Sequence, residues 1–134
     1  DNHTRSTKGV LRGMHYQSQQ PQGKLVRAVR GAVYDVVVDV RRDSPAFGRW
    51  YGLELNESSH VQLWIPPGLA HGFLTLSDDA ELLYKMTDYY EPQLQSCLAW
   101  NDPSVGIAWP LQQHGIVRPL LSAKDQAGKT LFGI

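Results

Sequence analysis

One cysteine, Cys97, in 134 residues leaves no partner for an internal disulfide, so the fold has to hold without covalent staples. A lone thiol suits a reducing compartment better than a secreted setting, and Cys97 reads as an inert core or interface thiol. No run of apolar residues approaches the roughly 20 needed for a membrane span, and Asp1 to Arg5 carries no apolar signal core; a cytoplasmic protein that does not enter a membrane is expected. Charge of one sign is also missing. Thirteen basic residues balance thirteen acidic ones, which removes the field that would gather nucleic acid or an anionic membrane surface. Any bound anion must be gripped locally. Repeats, low-complexity tracts and linkers are absent as well, so a single domain over residues 1–134 is expected.

What is present is a succession of short strands. From Ala32 to Val40 the even positions read Ala, Tyr, Val, Val, Val and the odd ones Val, Asp, Val, Asp, which predicts a strand with one dry and one half-exposed face. Similar segments occur at 24–29, 50–55, 61–65, 72–76 and 82–87, separated by Arg-Gly, Asp-Ser-Pro, Pro-Pro-Gly and Ser-Asp-Asp breaks. Regular short strands of this kind imply an all-β barrel or sandwich. Only residues 122–131 read as helical, with Ser122 and Asp125 at capping-box spacing.

Two stretches carry chemistry. Gly9 to Gln17 sets His15 in a strand-like run near Arg12, and strict alternation in Glu81 to Thr87 turns Tyr84 to the side of Leu82 and Met86. Alternation from Leu11 to Gln17 sends Arg12 and His15 to opposite faces; Gly13 is the residue that can break the pleat and reunite them. Pro66-Pro67-Gly68-Leu69-Ala70-His71 resembles the second motif of the cupin jelly rolls, Pro-x-Gly-x-x-His. Metal-binding cupins add a His-x-His and a nearby glutamate. Here that place reads His15-Tyr16-Gln17, and His15 with His71 alone make a poor site for a divalent ion, so no metal is expected.

The ordered motifs resemble the dTDP-4-dehydrorhamnose 3,5-epimerases and their deoxysugar-pathway relatives along nearly the whole chain. They include Asp1 to Ser6, Gly9 to Gln17, Gln22 to Arg27, Ser44 to Gly48, Gln62 to Pro66, Gly68 to Leu74, Tyr84-Lys85, Asp88 to Tyr90, Trp100 to Pro103 and Leu121 to Asp125. The resemblance implies a cupin-like jelly-roll β-barrel or sandwich with a short C-terminal helix. It further implies a homodimer that needs no cofactor and inverts C3, C5 or both of a dTDP-4-keto-6-deoxyhexose. By the same likeness His15 is the base, Asp125 its carboxylate partner, Tyr84 the acid and Lys24 the cation near the keto oxygen. Asn2, Arg12, His71, Tyr90 and Lys124 match substrate-binding positions, Tyr90 as a ring stacked on thymine. Proton removal beside a ketone needs a base, an enolate stabiliser and, for inversion, an acid on the far face, which explains the residue types.

Read singly, these residues have plainer roles: Asp125 as a helix cap, Tyr84 as a core tyrosine, Lys24 and Arg12 as solvated strand-end charges, His71 as a hydrogen-bonded strand residue. The chain also departs from the pattern. It lacks the family's usual N-terminal strands with their Asp-x-Arg-Gly-x-Phe motif, and it has Gln95-Ser96 where Glu-Arg is common. The rival functions are a 3-epimerase, a 4-keto sugar isomerase, a non-catalytic sugar-nucleotide-binding jelly roll and a metal-dependent cupin.

Overall fold

A computed structural model describes all residues, 1–134. Nine strands form two antiparallel sheets. The first, in the order β1-β8-β3-β6, uses β1 (Asn2–Thr7), β3 (Lys24–Arg30), β6 (Leu63–Ile65) and β8 (Asp79–Met86). The second, β5-β4-β7-β2-β9, uses β2 (Leu11–Gln17), β4 (Ala32–Asp39), β5 (Trp50–Asn56), β7 (Leu69–Thr75) and β9 (Gln95–Cys97). The sheets pack as a sandwich, as the spacing of strands and breaks predicts.

Three apolar clusters account for this arrangement. Between the sheets, Val26, Ala28 and Leu82 of the first meet Val33, Leu55 and Phe73 of the second. Behind the second sheet, Met14, Val36, Val38 and Ala70 pack against Leu98 and Leu131 of the chain's last third, and Leu11 and Leu74 pack against Ile116. Each fully buried aliphatic side chain contributes about 1.5–3 kcal/mol, so the irregular C-terminal segment works as a third layer.

That layer corrects the reading of residues 32–40. The even positions do pack into a dry cluster, but the odd face is not half-exposed: Val33 and Asp35 are fully buried and Asp39 nearly so. Both sides of β4 are covered, one by the C-terminal segment and one by the facing sheet. The C-terminal helix is also shorter than residues 122–131. It spans only α1 (Ala123–Gln126), capped by Ser122, whose hydroxyl accepts from the Asp125 N–H, and a separate 3-10 turn covers Leu131–Gly133.

Gly13 breaks the pleat. The β2–β7 register runs Leu11 to Leu74 and Arg12 to Phe73, then shifts before His15 pairs with His71. Gly13 sits at φ +126°, a region closed to side chains, and a Cβ there would lie 2.6 Å from the Gly72 Cα.

Candidate active site

A cavity of about 470 Å³ opens between the sheets, a size suited to a small organic ligand. Directly paired residues in antiparallel strands share a face, so register decides what each wall presents. On the first sheet, Tyr84 stands opposite Asn2 on one side and Val26 on the other, with Lys24 two positions along the same face as Val26. On the second, His15 stands opposite His71, and Asp35 lies diagonally across from His71. A histidine wall therefore faces a tyrosine–lysine wall across one cavity, with the register shift at Gly13 turning both Arg12 and His15 toward it.

His15 Nε2 lies 2.6 Å from Asp125 Oδ1, and the Gly13 N–H donates to Asp125 Oδ2 at 3.2 Å. Burial alone would raise the Asp125 carboxyl. The His15 hydrogen bond and charge, the Gly13 amide and Lys124 outweigh it and hold that carboxyl below its ordinary value. An ionised carboxylate only accepts, so Nε2 carries a hydrogen; in the neutral ring Nδ1, which has no protein partner, then keeps a lone pair. The capping-box spacing is real too: Ser122 caps the backbone while the Asp125 side chain turns to His15.

Sequence reading missed Asp35. Fully buried in β4, it brackets His71 Nε2 with both oxygens, at 2.8 and 2.9 Å. The signal was available, since an aspartate flanked by valines in a strand either points to water or has a buried partner, but nothing local says which. His71 is itself 5% exposed and lines the cavity, with its ring edge-on to Tyr84 at 6.3 Å between centroids.

The Tyr84 hydroxyl accepts from Asn2 Nδ2 at 3.2 Å. Burial pushes the phenol above its usual range, opposed by the charge of Arg12. Burial pushes the Lys24 ammonium below its usual range, and the Asp35 carboxylate partly restores it. Arg12 is tethered by Nε to the Ser6 hydroxyl at 3.0 Å. Lys124 bonds the Gln95 side-chain oxygen at the cavity rim, and the half-exposed Tyr90 completes the mouth. Asp125 is the one expected site residue outside the cavity lining; it stands behind His15.

Cys97 is not remote from this chemistry. Its sulfur lies 3.8 Å from Asp125 Oδ1 and 3.4 Å from the Gly13 carbonyl oxygen, and burial together with the Asp125 charge pushes the thiol up to about 11. It is half-buried and neutral, beside the histidine–aspartate pair.

The sandwich is that of the cupin-like jelly rolls, and solved epimerase structures superpose on it throughout. The Legionella pneumophila dTDP-6-deoxy-D-glucose-3,5-epimerase in complex with dTDP-4-keto-L-rhamnose gives a TM-score of 0.94 at 50% identity, covering 99% of this chain and 69% of that one. A 3'-monoepimerase from Streptomyces bikiniensis in complex with dTDP-quinovose gives 0.91 at 41% identity, covering 98% and 65%. The dTDP-4-dehydrorhamnose 3,5-epimerase of Neisseria gonorrhoeae is 58% identical over 130 residues, which are 97% of this chain and 38% of that protein. The Pseudomonas aeruginosa enzyme of the same name is 57% identical over 129 residues, 96% of this chain and 69% of that protein. The chain thus spans well under half of the Neisseria relative and about seven tenths of the Pseudomonas one. The family model for dTDP-4-dehydrorhamnose 3,5-epimerase matches residues 1–132. This chain belongs to that family.

Proposed function

We propose that this chain epimerises a dTDP-linked 4-keto-6-deoxyhexose at C3, C5 or both, through an enolate. The observation that carries the reading is the pairing of His15, backed by Asp125, with Tyr84 on the opposite wall of one cavity. His15 Nδ1 takes the proton beside the ketone, and the Asp125 carboxylate stabilises the imidazolium that forms. Charge then moves to the sugar's O4. Lys24, already stripped of much of its water, interacts with that charge more strongly than a solvated ammonium would, and the developing anion draws the lysine toward its charged form. Tyr84, its phenol still protonated at neutral pH, donates to the far face of the carbon, which inverts it.

Arg12 and Lys124 at the rim are suited to the diphosphate, Tyr90 to the base, and Asn2 and His71 to the sugar hydroxyls. Stacking of a base on an aromatic ring is worth roughly 1–3 kcal/mol. The chain works as a homodimer in the cytoplasm in this reading, the single cysteine suiting a reducing compartment.

The S. bikiniensis neighbour, by name a 3'-monoepimerase, makes single inversion the rival outcome. Incubation with a dTDP-4-keto-6-deoxyhexose in deuterated water, followed by NMR, reads both: label at C3 and C5 marks double inversion, and label at C3 alone marks the rival. His15→Asn abolishes the label while dTDP binding persists. An unlabelled sugar from the parent chain overturns the reading in favour of a binding module.

A further inference from the structure

We propose that His15, Cys97 and Asp125 form a binding site for one thiophilic divalent cation, Zn²⁺ or a close congener, and that its occupancy switches the base off. The expectation of no metal considered His15 and His71 as joint ligands, but these two are each engaged with a different carboxylate. The donors that do converge are of three kinds: an imidazole nitrogen, a thiol sulfur and a carboxylate oxygen, all within 4.8 Å of one another.

Tetrahedral zinc with bonds of about 2.3 Å to sulfur and about 2.0–2.1 Å to nitrogen and oxygen requires donor–donor edges of roughly 3.3–3.6 Å. The Cys97 Sγ to Asp125 Oδ1 separation, 3.8 Å, is close to such an edge already. The His15 Nε2 to Asp125 Oδ1 separation, 2.6 Å, opens by roughly 0.7 Å to admit the ion. Asp125 Oδ2 stays anchored on the Gly13 N–H, the kind of support that fixes a ligating carboxylate. A second cavity, of about 360 Å³ and lined by His15, Ser122, Lys124 and Asp125, supplies an entry path and room for water at the fourth position. The donor set is mixed soft and borderline, which favours zinc over magnesium or calcium.

Proton and charge accounting agree. Cys97 gives its proton to solvent, so thiolate and carboxylate together neutralise the ion and limit its repulsion from Lys124. At His15 the metal takes the Nε2 lone pair and the hydrogen moves to Nδ1. Neither ring nitrogen then has a lone pair for a substrate proton. Loss of turnover rests on the epimerase reading above; ion binding does not.

Cobalt(II) is the probe, because a thiolate ligand announces itself by a charge-transfer band in the near ultraviolet. Titrating the full chain with Co²⁺ gives that band at one equivalent, displaced by Zn²⁺ and untouched by Mg²⁺; Cys97→Ser, or Cys97→Ala should the serine variant not fold, gives none. Zn²⁺ at saturation lowers parent turnover at least tenfold, reversibly with EDTA, while the Cys97 variant keeps most of its own metal-free rate. Absence of the band in the parent, its survival without Cys97, or equal inhibition of parent and variant overturns the site. A chain with no turnover at all defeats the epimerase reading instead, and the cobalt band still decides this one.

Discussion

Replacing Tyr84 by Phe separates two events that inversion joins. The hydroxyl accepts a 3.2 Å hydrogen bond from the exposed Asn2, and a hydrogen bond of this kind contributes about 1 kcal/mol to the fold. The ring keeps its edge-on packing against His71 and its place beside the inter-sheet cluster. In the proposed mechanism catalysis loses its acid, an effect of about 10²- to 10⁴-fold, equivalent to roughly 2.7–5.5 kcal/mol in the barrier. Inversion falls by that factor. Exchange of the carbon-bound hydrogen does not fall in step, because His15 can return a deuteron to the face it deprotonated. In deuterated water the variant therefore accumulates labelled, uninverted substrate, measurable by NMR beside a urea titration that confirms the fold. Inversion within about threefold of the parent would refute the assignment, and equal loss of exchange and inversion would move Tyr84 from the acid's role to that of a binding contact.

Other substitutions probe the walls of the cavity and the pleat. Lys24→Met raises the thermal midpoint, because the folded state penalises the ammonium; the gain is full below the depressed folded value of Lys24 and shrinks as pH rises from there to the ordinary lysine value, while turnover drops about 10²- to 10³-fold. Calorimetry at neutral and alkaline pH, with a rate assay, checks both signs. Gly13→Ala forces a methyl against the Gly72 backbone at 2.6 Å and the His71 carbonyl at 2.9 Å, and costs at least about 2 kcal/mol in urea unfolding together with most of the activity. A silent Gly13→Ala would show that the register shift does not depend on this glycine. Asp39 is drawn down to about 2 by its hydrogen bond to Arg41, against burial and with help from Ser44. Its depressed carboxyl stabilises the fold above about pH 4 and loses that contribution as pH falls toward 2, so Asp39→Asn costs about 1–2 kcal/mol at pH 7, after allowance for the half-exposed Arg41, and nearly nothing at about pH 2. Unfolding midpoints of the two proteins that fail to converge in acid would refute this.

Most strand positions are legible because alternation and Gly/Pro breaks are local, although β1 and β9 are not among the expected segments. The proposal that Gly13 reunites Arg12 with His15 was also local, and the register shift sits there. Errors arose wherever a distant segment decided the outcome. Alternation alone gives β4 a half-exposed face because the two layers that cover it come from elsewhere in the chain. Asp35 could not be matched to His71, 36 residues away, nor Cys97 placed beside Asp125, 28 residues away, without knowing which strands adjoin. The C-terminal helix is shorter than its sequence signal because Ser122 marks where a helix starts and carries no information about where it ends.

The bond between His15 and Asp125 spans 110 positions of sequence. On the ribosome, β2 emerges long before β7 and β9, the strands that flank it, and the carboxylate arrives later still. A growing polypeptide thus carries an unarmed imidazole until residue 125 has been made, and pairings of such long range belong to the slower class of folding reactions. Appearance of catalysis during translation would accordingly timestamp the closing of the whole sandwich, not the docking of any one hairpin.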